Sequence, residues 1–259
     1  MRKLLVPLLA ILLFITCRKD DAETKIEVCH QDQKEGTSHT ITISENALPA
    51  HLAHGDVLGP CFETVTICNQ VWMLKNLDVE RYRDGTRIPQ AVTDEEWILA
   101  GATETGAWCY YENNTANGLV YGKLYNGYAV TDPRGLAPAG WHIPTDAEWT
   151  TLVDCLGGDE VAGGKMKSVG TIEAGTGLWF APNTDASNSS GFTGLPGGLR
   201  ESTTTNSFHG IGQFGLYWSS TQYNPFSNWY RSLFFTEGDI DREPVGFKPT
   251  GRYVRCVRD

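Results

Sequence analysis

Four of the six histidines fall within residues 25–64, KIEVCHQDQKEGTSHTITISENALPAHLAHGDVLGPCFET. His30, His39, His51 and His54, together with Asp56, offer the imidazole and carboxylate donors that hold zinc or a similar ion. His51 and His54 are three residues apart and share one face of a helix. The stretch lacks the paired CxxC and HxxxH spacing of zinc modules, however, and histidines in so small a unit commonly cap or pack. A structural role is the first reading and a metal site the second.

A further group of acids alternates in EGDIDRE, where Glu237, Asp239, Asp241 and Glu243 occupy every second position. In an extended backbone their carboxylates project to one side and repel unless a cation, or Arg242 and nearby bases, intervenes. Asp239 and Asp241 are therefore candidate calcium ligands, set against the plainer reading of a solvated acidic loop. The decapeptide GWHIPTDAEW (140–149) places His142, Asp146 and Glu148 close together in sequence. A general base at His142 needs an oriented nucleophile, and no GxSxG or HExxH framework supplies one. Thr145 to Glu148 instead fits a capping box, in which the threonine hydroxyl and the glutamate carboxylate satisfy each other's backbone N–H groups. Asp146 in the first turn complements the positive end of the helix dipole. This stretch reads as a helix start and not as a catalytic site.

That helix continues through an apolar stripe of Trp149, Leu152, Val153 and Leu156 and ends at Gly157-Gly158. In the histidine-rich stretch, Thr40–Ile43 reads as a strand and Asn46–His54 as a short helix stopped by Gly55. About forty residues bury little core, so this unit needs a staple, which Cys29 paired with Cys61 would supply. Beyond it, the runs VTICNQVWML, GAWCYYEN, GLVYGKLYNGYAV, GLYWSST, NWYRSLFFT and RYVRCVRD are β-rich and separated by glycine, proline and asparagine clusters. No internal repeat is present. The expected class is α+β with short strands, long loops and one or two helices, divided into a small Cys/His-rich module (25–64) and a larger domain (65–259).

The chain opens with Arg2 and Lys3 and then an apolar run, Leu4 to Ile15, too short to span a bilayer, which reads as a signal peptide over residues 1–16. Leu13-Phe14-Ile15-Thr16 before Cys17 resembles a relaxed lipobox and implies lipidation of Cys17. Arg18, Lys19, Asp20 and Asp21 resemble the sorting signal of Bacteroidetes-type lipoproteins, within a tether over 17–24. The implied location is the outer membrane, lipid-anchored and facing the exterior. Six cysteines then remain, an even number that in an exported protein favours disulfides. The formal net charge of −10 and the lack of a basic stripe argue against nucleic acid as a partner.

The ordered series QVWMLKNL, YGKLYNGYAV, GWHIPTDAEWTTL, SSGFTGLPGGLR, YWSST and RYVRCVRD resembles the Fibrobacter succinogenes major paralogous domain, found in secreted and surface proteins of largely undefined role. The GWHIPTDAEW helix and the closing VRCVRD strand are also similar to the C-type lectin-like fold of formylglycine-generating enzymes and of retroelement-diversified receptors. The resemblance implies a bridge from the first helix to the final strand, Cys155 to Cys256. Closing about a hundred residues, such a bridge would contribute on the order of 4 kcal/mol. It leaves Cys68 to pair with Cys109. The small module resembles one near the N-terminus of other Bacteroidetes surface proteins.

The implied function is a surface-displayed, non-catalytic binding or adhesion module for glycan or protein ligands. Its candidate contacts are Tyr223, Phe226, Trp229 and Tyr230 in GLYWSSTQYNPFSNWYR, since aromatic faces stack on sugars and anchor proteins. Trp218 and Trp229 lie in strand-like runs and are expected to be buried, whereas Tyr223 and Phe226, beside Asn224-Pro225, are expected to be exposed. The lectin motifs EPN, QPD and WND are absent, which puts calcium-dependent sugar binding in doubt. A structural role in a surface assembly is the alternative. An enzyme of the formylglycine-generating kind would need a reactive cysteine pair in the C-terminal half, where only Cys256 stands.

Overall fold

A computed structural model describes residues 24–32, 37–203 and 207–259. The expected signal peptide over 1–16, Cys17 and the charged residues that follow it lie outside the described residues. Strands β1 (Lys25–Asp32) and β2 (Thr37–Ser44) pair antiparallel with His30 opposite His39. A 3-10 turn at Glu45–Ala47, capped by the Ser44 side chain, leads into helix α1 (Leu48–Ala53), whose early proline suits a first turn that needs no N–H. Gly55 then adopts φ +95° and folds the chain back. Strand β3 (Val57–Leu58) follows and pairs with the free side of β1. A Cys29–Cys61 disulfide ties β1 to the exit of the unit. Val28, Cys29 and Asp56 are the buried side chains among its described residues, so cross-links carry much of the burden that a core carries elsewhere.

The larger part runs β4 (Thr64–Ile67), β5 (Gln70–Met73), α2 (Asp94–Ala102), β6 (Trp108–Cys109), α3 (Thr115–Tyr121), β7 (Leu124–Asn126), α4 (Gly127–Val130), β8 (Trp141–His142), α5 (Asp146–Cys155) and α6 (Asp159–Met166). It continues with β9 (Gly197–Arg200), β10 (Phe208–Ile211), β11 (Phe214–Asn224), β12 (Ser227–Phe234), β13 (Asp241–Phe247), β14 (Gly251–Arg252) and β15 (Val257–Arg258). One sheet has the order β13-β12-β11-β9-β14-β7-β6, with β10 on β9; its β9 and β11 run parallel. A second has the order β4-β5-β15-β8, so the final strand sits between two earlier ones.

The core is aromatic. Trp72, Trp97, Trp149, Trp179, Phe192, Tyr217 and Tyr253 belong to one buried cluster, and Tyr82, Trp108, Tyr125, Trp141 and Trp218 to another. Helix α5 presses Trp149, Leu152 and Val153 into the first. Buried cations tie loops to this core. Arg255, fully buried, donates to the carbonyls of Met73, Leu74 and Phe192 and to Asn76 Oδ1. Such a cation is tolerated because its N–H groups find acceptors.

The architecture is α+β, but among the described residues the larger domain holds five α-helices where one or two are expected. Helix α2 begins with the same capping box as α5, Thr93 with Glu96, but it buries Trp97 with the small Ala100 and Gly101 and exposes Leu99, so its sequence shows no clear apolar stripe. The run GLVYGKLYNGYAV is not a continuous strand: its first residues complete α3, Gly122 turns at φ +78°, and a three-residue strand precedes α4. The expected bridges of the larger domain are also corrected. Cys68 pairs with Cys155, while Cys109 and Cys256 are free and fully buried. Cys155 is exposed on α5, opposite the buried stripe, where it meets the turn between β4 and β5; Cys256 faces the interior among Trp141, Trp218 and Met73.

Candidate functional site

At the start of α5 both halves of the capping box are made: Thr145 Oγ1 accepts from the Glu148 N–H at 3.2 Å, and Glu148 Oε2 accepts from the Thr145 N–H at 2.8 Å. The other Glu148 oxygen lies 2.7 Å from His142 Nε2, and His142 Nδ1 lies 2.7 Å from Asp259 Oδ1. Burial alone would lower the His142 pKa, but the two carboxylates outweigh it and raise it. When protonated, the imidazolium donates from both nitrogens, one to each carboxylate.

Asp146, the remaining acid of this stretch, does more than face the helix dipole. Its Oδ1 accepts from Arg231 Nη1 at 2.7 Å and its Oδ2 from Arg242 Nη2 at 2.6 Å. Burial would raise the Asp146 carboxyl, yet the Arg242 and Arg231 guanidinium groups hold it below its ordinary range. The Arg242 guanidinium also lies 4.0 Å from the centre of the Trp229 ring, which meets Tyr223 edge-on at 5.3 Å. A continuous chain of contacts therefore runs from the base of α5 to the tip of the β11–β12 hairpin.

At that tip the aromatic side chains are uncovered. Phe226 is 68% exposed, Tyr223 50%, and Phe247, next to it across the β12–β13 pair, 59%. Trp229 and Tyr230 are half-buried, and Tyr217 and Trp218 are core residues. Trp229 thus stands less buried than its strand position suggests. A depression of about 400 Å³ opens beside Phe226 and Phe247, walled by Tyr128 and Pro249 and edged by the polar groups of Glu201, Ser202 and Thr250. Asn224 Oδ1 accepts from the Phe226 N–H at 2.9 Å, and the Phe226 carbonyl accepts from Lys248 N at 3.0 Å, so the backbone that carries Phe226 is fastened on both sides. Tyr128, Phe247 and Pro249 come from parts of the sequence where the aromatic run gives no hint of them.

The acidic run does not line one side of a strand. β13 begins only at Asp241, and Glu237 to Ile240 form the turn before it. Lys167, wholly buried, reaches that turn with its ammonium and donates to the carbonyls of Thr184, Phe234 and Glu237. Burial pushes the Lys167 pKa down to about 8, against the pull of Asp185, Asp239 and Glu237. Lys167 thus brings a positive charge close enough to feel Asp239 and Glu237, while Arg242 is engaged with Asp146.

In the small module His30, His51 and Asp56 converge. Asp56 is buried, and its Oδ2 lies 2.9 Å from His30 Nδ1 and 2.7 Å from His51 Nδ1. Its Oδ1 accepts from the Gln31 N–H at 2.9 Å. Burial would raise the carboxyl, but the hydrogen bonds from His30, Gln31 and His51 hold it well below the usual carboxylate range. His39 and His54 flank this group edge-on, with ring centres 5.3 Å from His30 and 5.9 Å from His51. Among the described residues, His30, His51 and Asp56 are the ones whose donor atoms come close enough together to share an ion; His39 and His54 stand outside the set.

The profile of the Fibrobacter succinogenes major domain matches residues 65–258. No curated protein and no solved structure matches the chain.

Proposed function

Since the chain belongs to the Fibrobacter succinogenes major domain family, we propose that it is a non-catalytic binding module of C-type lectin-like fold, displayed at the cell surface by a lipid on Cys17. Its ligand face is the hairpin tip, where Tyr223, Phe226 and Phe247 present aromatic faces around the depression. The observation that carries this reading is the exposure of Phe226 and Phe247 on a backbone held rigid from both sides. Large apolar rings left uncovered at a fixed position serve as recognition surfaces. Apolar rings beside the carboxylate of Glu201 and the hydroxyls of Ser202 and Thr250 suit a carbohydrate, whose C–H faces stack while its hydroxyls exchange hydrogen bonds.

A protein partner is the second reading, favoured by Val245, 44% exposed on the same strand as Phe247. Oxidase chemistry of the formylglycine-generating kind gains no support. Its thiols would have to be Cys109 and Cys256, both fully buried, and burial pushes the Cys109 thiol up to about 12, out of the reactive thiolate range. A glycan array probed with the mature, non-lipidated protein, alongside a pull-down from surface extracts, tests the proposal. Signal lost on Phe226→Ala and Phe247→Ala supports the carbohydrate reading. A blank array with a stable captured partner transfers the face to protein recognition, and self-association with neither signal favours a structural role.

A further inference from the structure

We propose that the small module binds one divalent transition-metal ion of the zinc class, with His30 Nδ1, His51 Nδ1 and Asp56 Oδ2 as its three protein ligands. The topology aims these groups at one point. β1 supplies His30, the last turn of α1 supplies His51, and the turn at Gly55 carries Asp56 beneath the helix, where its N–H also reaches the His51 carbonyl at 3.2 Å. Both imidazoles meet the same carboxylate oxygen, at 2.9 and 2.7 Å. Ligands about 2.0 Å from a tetrahedral ion stand about 3.3 Å apart. The two imidazole–carboxylate separations then need to open by only a few tenths of an ångström, and the three donor atoms already lie within 4.8 Å of one another. Each imidazole keeps one proton, which moves from Nδ1 to Nε2, so both rings remain neutral ligands.

Three further observations support the site. Oδ1 of Asp56 is already held by the Gln31 N–H, which fixes the carboxylate while leaving Oδ2 to the ion, the kind of outer support that metal ligands require. Asp56 pairs with no lysine or arginine among the described residues, so this buried anion has imidazoles as its ionisable partners and a cation would offset its charge. The module also buries too little to sustain itself on packing, and metal binding adds folding free energy outright. Two imidazole nitrogens and one oxygen suit zinc better than calcium, which takes oxygen ligands. Three protein ligands leave a fourth position for water, reached past the His30 and His51 side chains, which are 34% and 22% exposed.

The test uses the full chain in detergent, stripped with a chelator and titrated with zinc by calorimetry and with cobalt by absorbance. One equivalent of zinc should bind, and the cobalt form should show the intense visible bands of a four-coordinate ion. His51→Gln and Asp56→Asn should each weaken zinc at least tenfold, whereas His39→Gln should not. Because a buried Asp56 variant can unfold, His51→Gln, at a side chain only partly buried, and the cobalt spectrum of the unaltered chain decide the matter independently. Failure to take up stoichiometric zinc, weak bands of a six-coordinate cobalt ion, or uptake undiminished by His51→Gln would each overturn the proposal. None of these outcomes bears on the hairpin-tip face.

Discussion

The Arg242 guanidinium lies over the Trp229 ring, 4.0 Å from its centre, while donating to Asp146. A charge at the base of α5 thereby sets the pose of an aromatic side chain near the hairpin tip. Neither Arg231 nor Arg242 is near Asp146 in sequence, yet both close on it, and Arg231 is almost wholly buried.

Removing Asp146 strands that buried arginine without a counter-charge. Asp146→Ala should cost about 3 kcal/mol of stability, the scale for breaking one partner of a buried pair. Urea denaturation measures it, and a midpoint within error of the unaltered protein would show that Arg231 finds another acceptor.

The clasp of His142 between Glu148 and Asp259 predicts a pH dependence of definite sign. The folded state raises the His142 pKa above its ordinary 6.5. The clasp therefore contributes fully below about pH 6.5, and its contribution is lost as pH rises through the higher folded-state value. Stability curves of the protein and of His142→Gln should converge on the alkaline side and separate on the acid side of that window. Parallel curves from pH 5 to 9 would remove His142 from the account.

Cys68 and Cys155 are 87 residues apart, and a loop of that length gives a chain-entropy contribution of about 4 kcal/mol. The double variant Cys68→Ser/Cys155→Ser should lose stability on that scale. Peptide mapping without reduction should yield the 68–155 and 29–61 linkages, with Cys109 and Cys256 alkylated only after denaturation. A Cys155–Cys256 peptide would contradict the structure.

Phe226→Ala and Phe247→Ala should change stability by no more than about 0.5 kcal/mol, because both rings are mostly in water. Loss of ligand signal with an unchanged melting temperature assigns the residues to recognition. A sharp fall in melting temperature would assign them to packing instead.

The features legible in the sequence are those whose partners lie close along the chain. The α5 capping box is closed between Thr145 and Glu148, and its apolar stripe repeats over two turns, so both its start and its buried face can be read directly. The turn residues Asn224-Pro225 likewise mark Phe226 as exposed. Partnerships formed only by the fold could not be read this way. Asp146 meets Arg231 and Arg242 from 85 and 96 residues away, and His142 meets Asp259 from 117. Cys155 had several possible mates, and what selects Cys68 is the outward direction of its side chain on α5, which spacing alone does not give. Lys167, whose buried ammonium reaches the Glu237 carbonyl beside the acidic run, lies some seventy residues before it, so spacing gives no hint of that neighbour. Within the small module, five candidate ligands can be named from composition, but only the return of the chain at Gly55 brings three of them together.

Strand β15 lies between β5 and β8, and β14 between β7 and β9, so the last few residues are interior threads of two sheets built mostly from earlier parts of the chain. As a polypeptide emerges amino end first, neither sheet can be completed until residues 251–258 have arrived. Closure of both sheets is thereby deferred to the end of synthesis, and the earlier strands must wait with open edges until these last threads are laid between them.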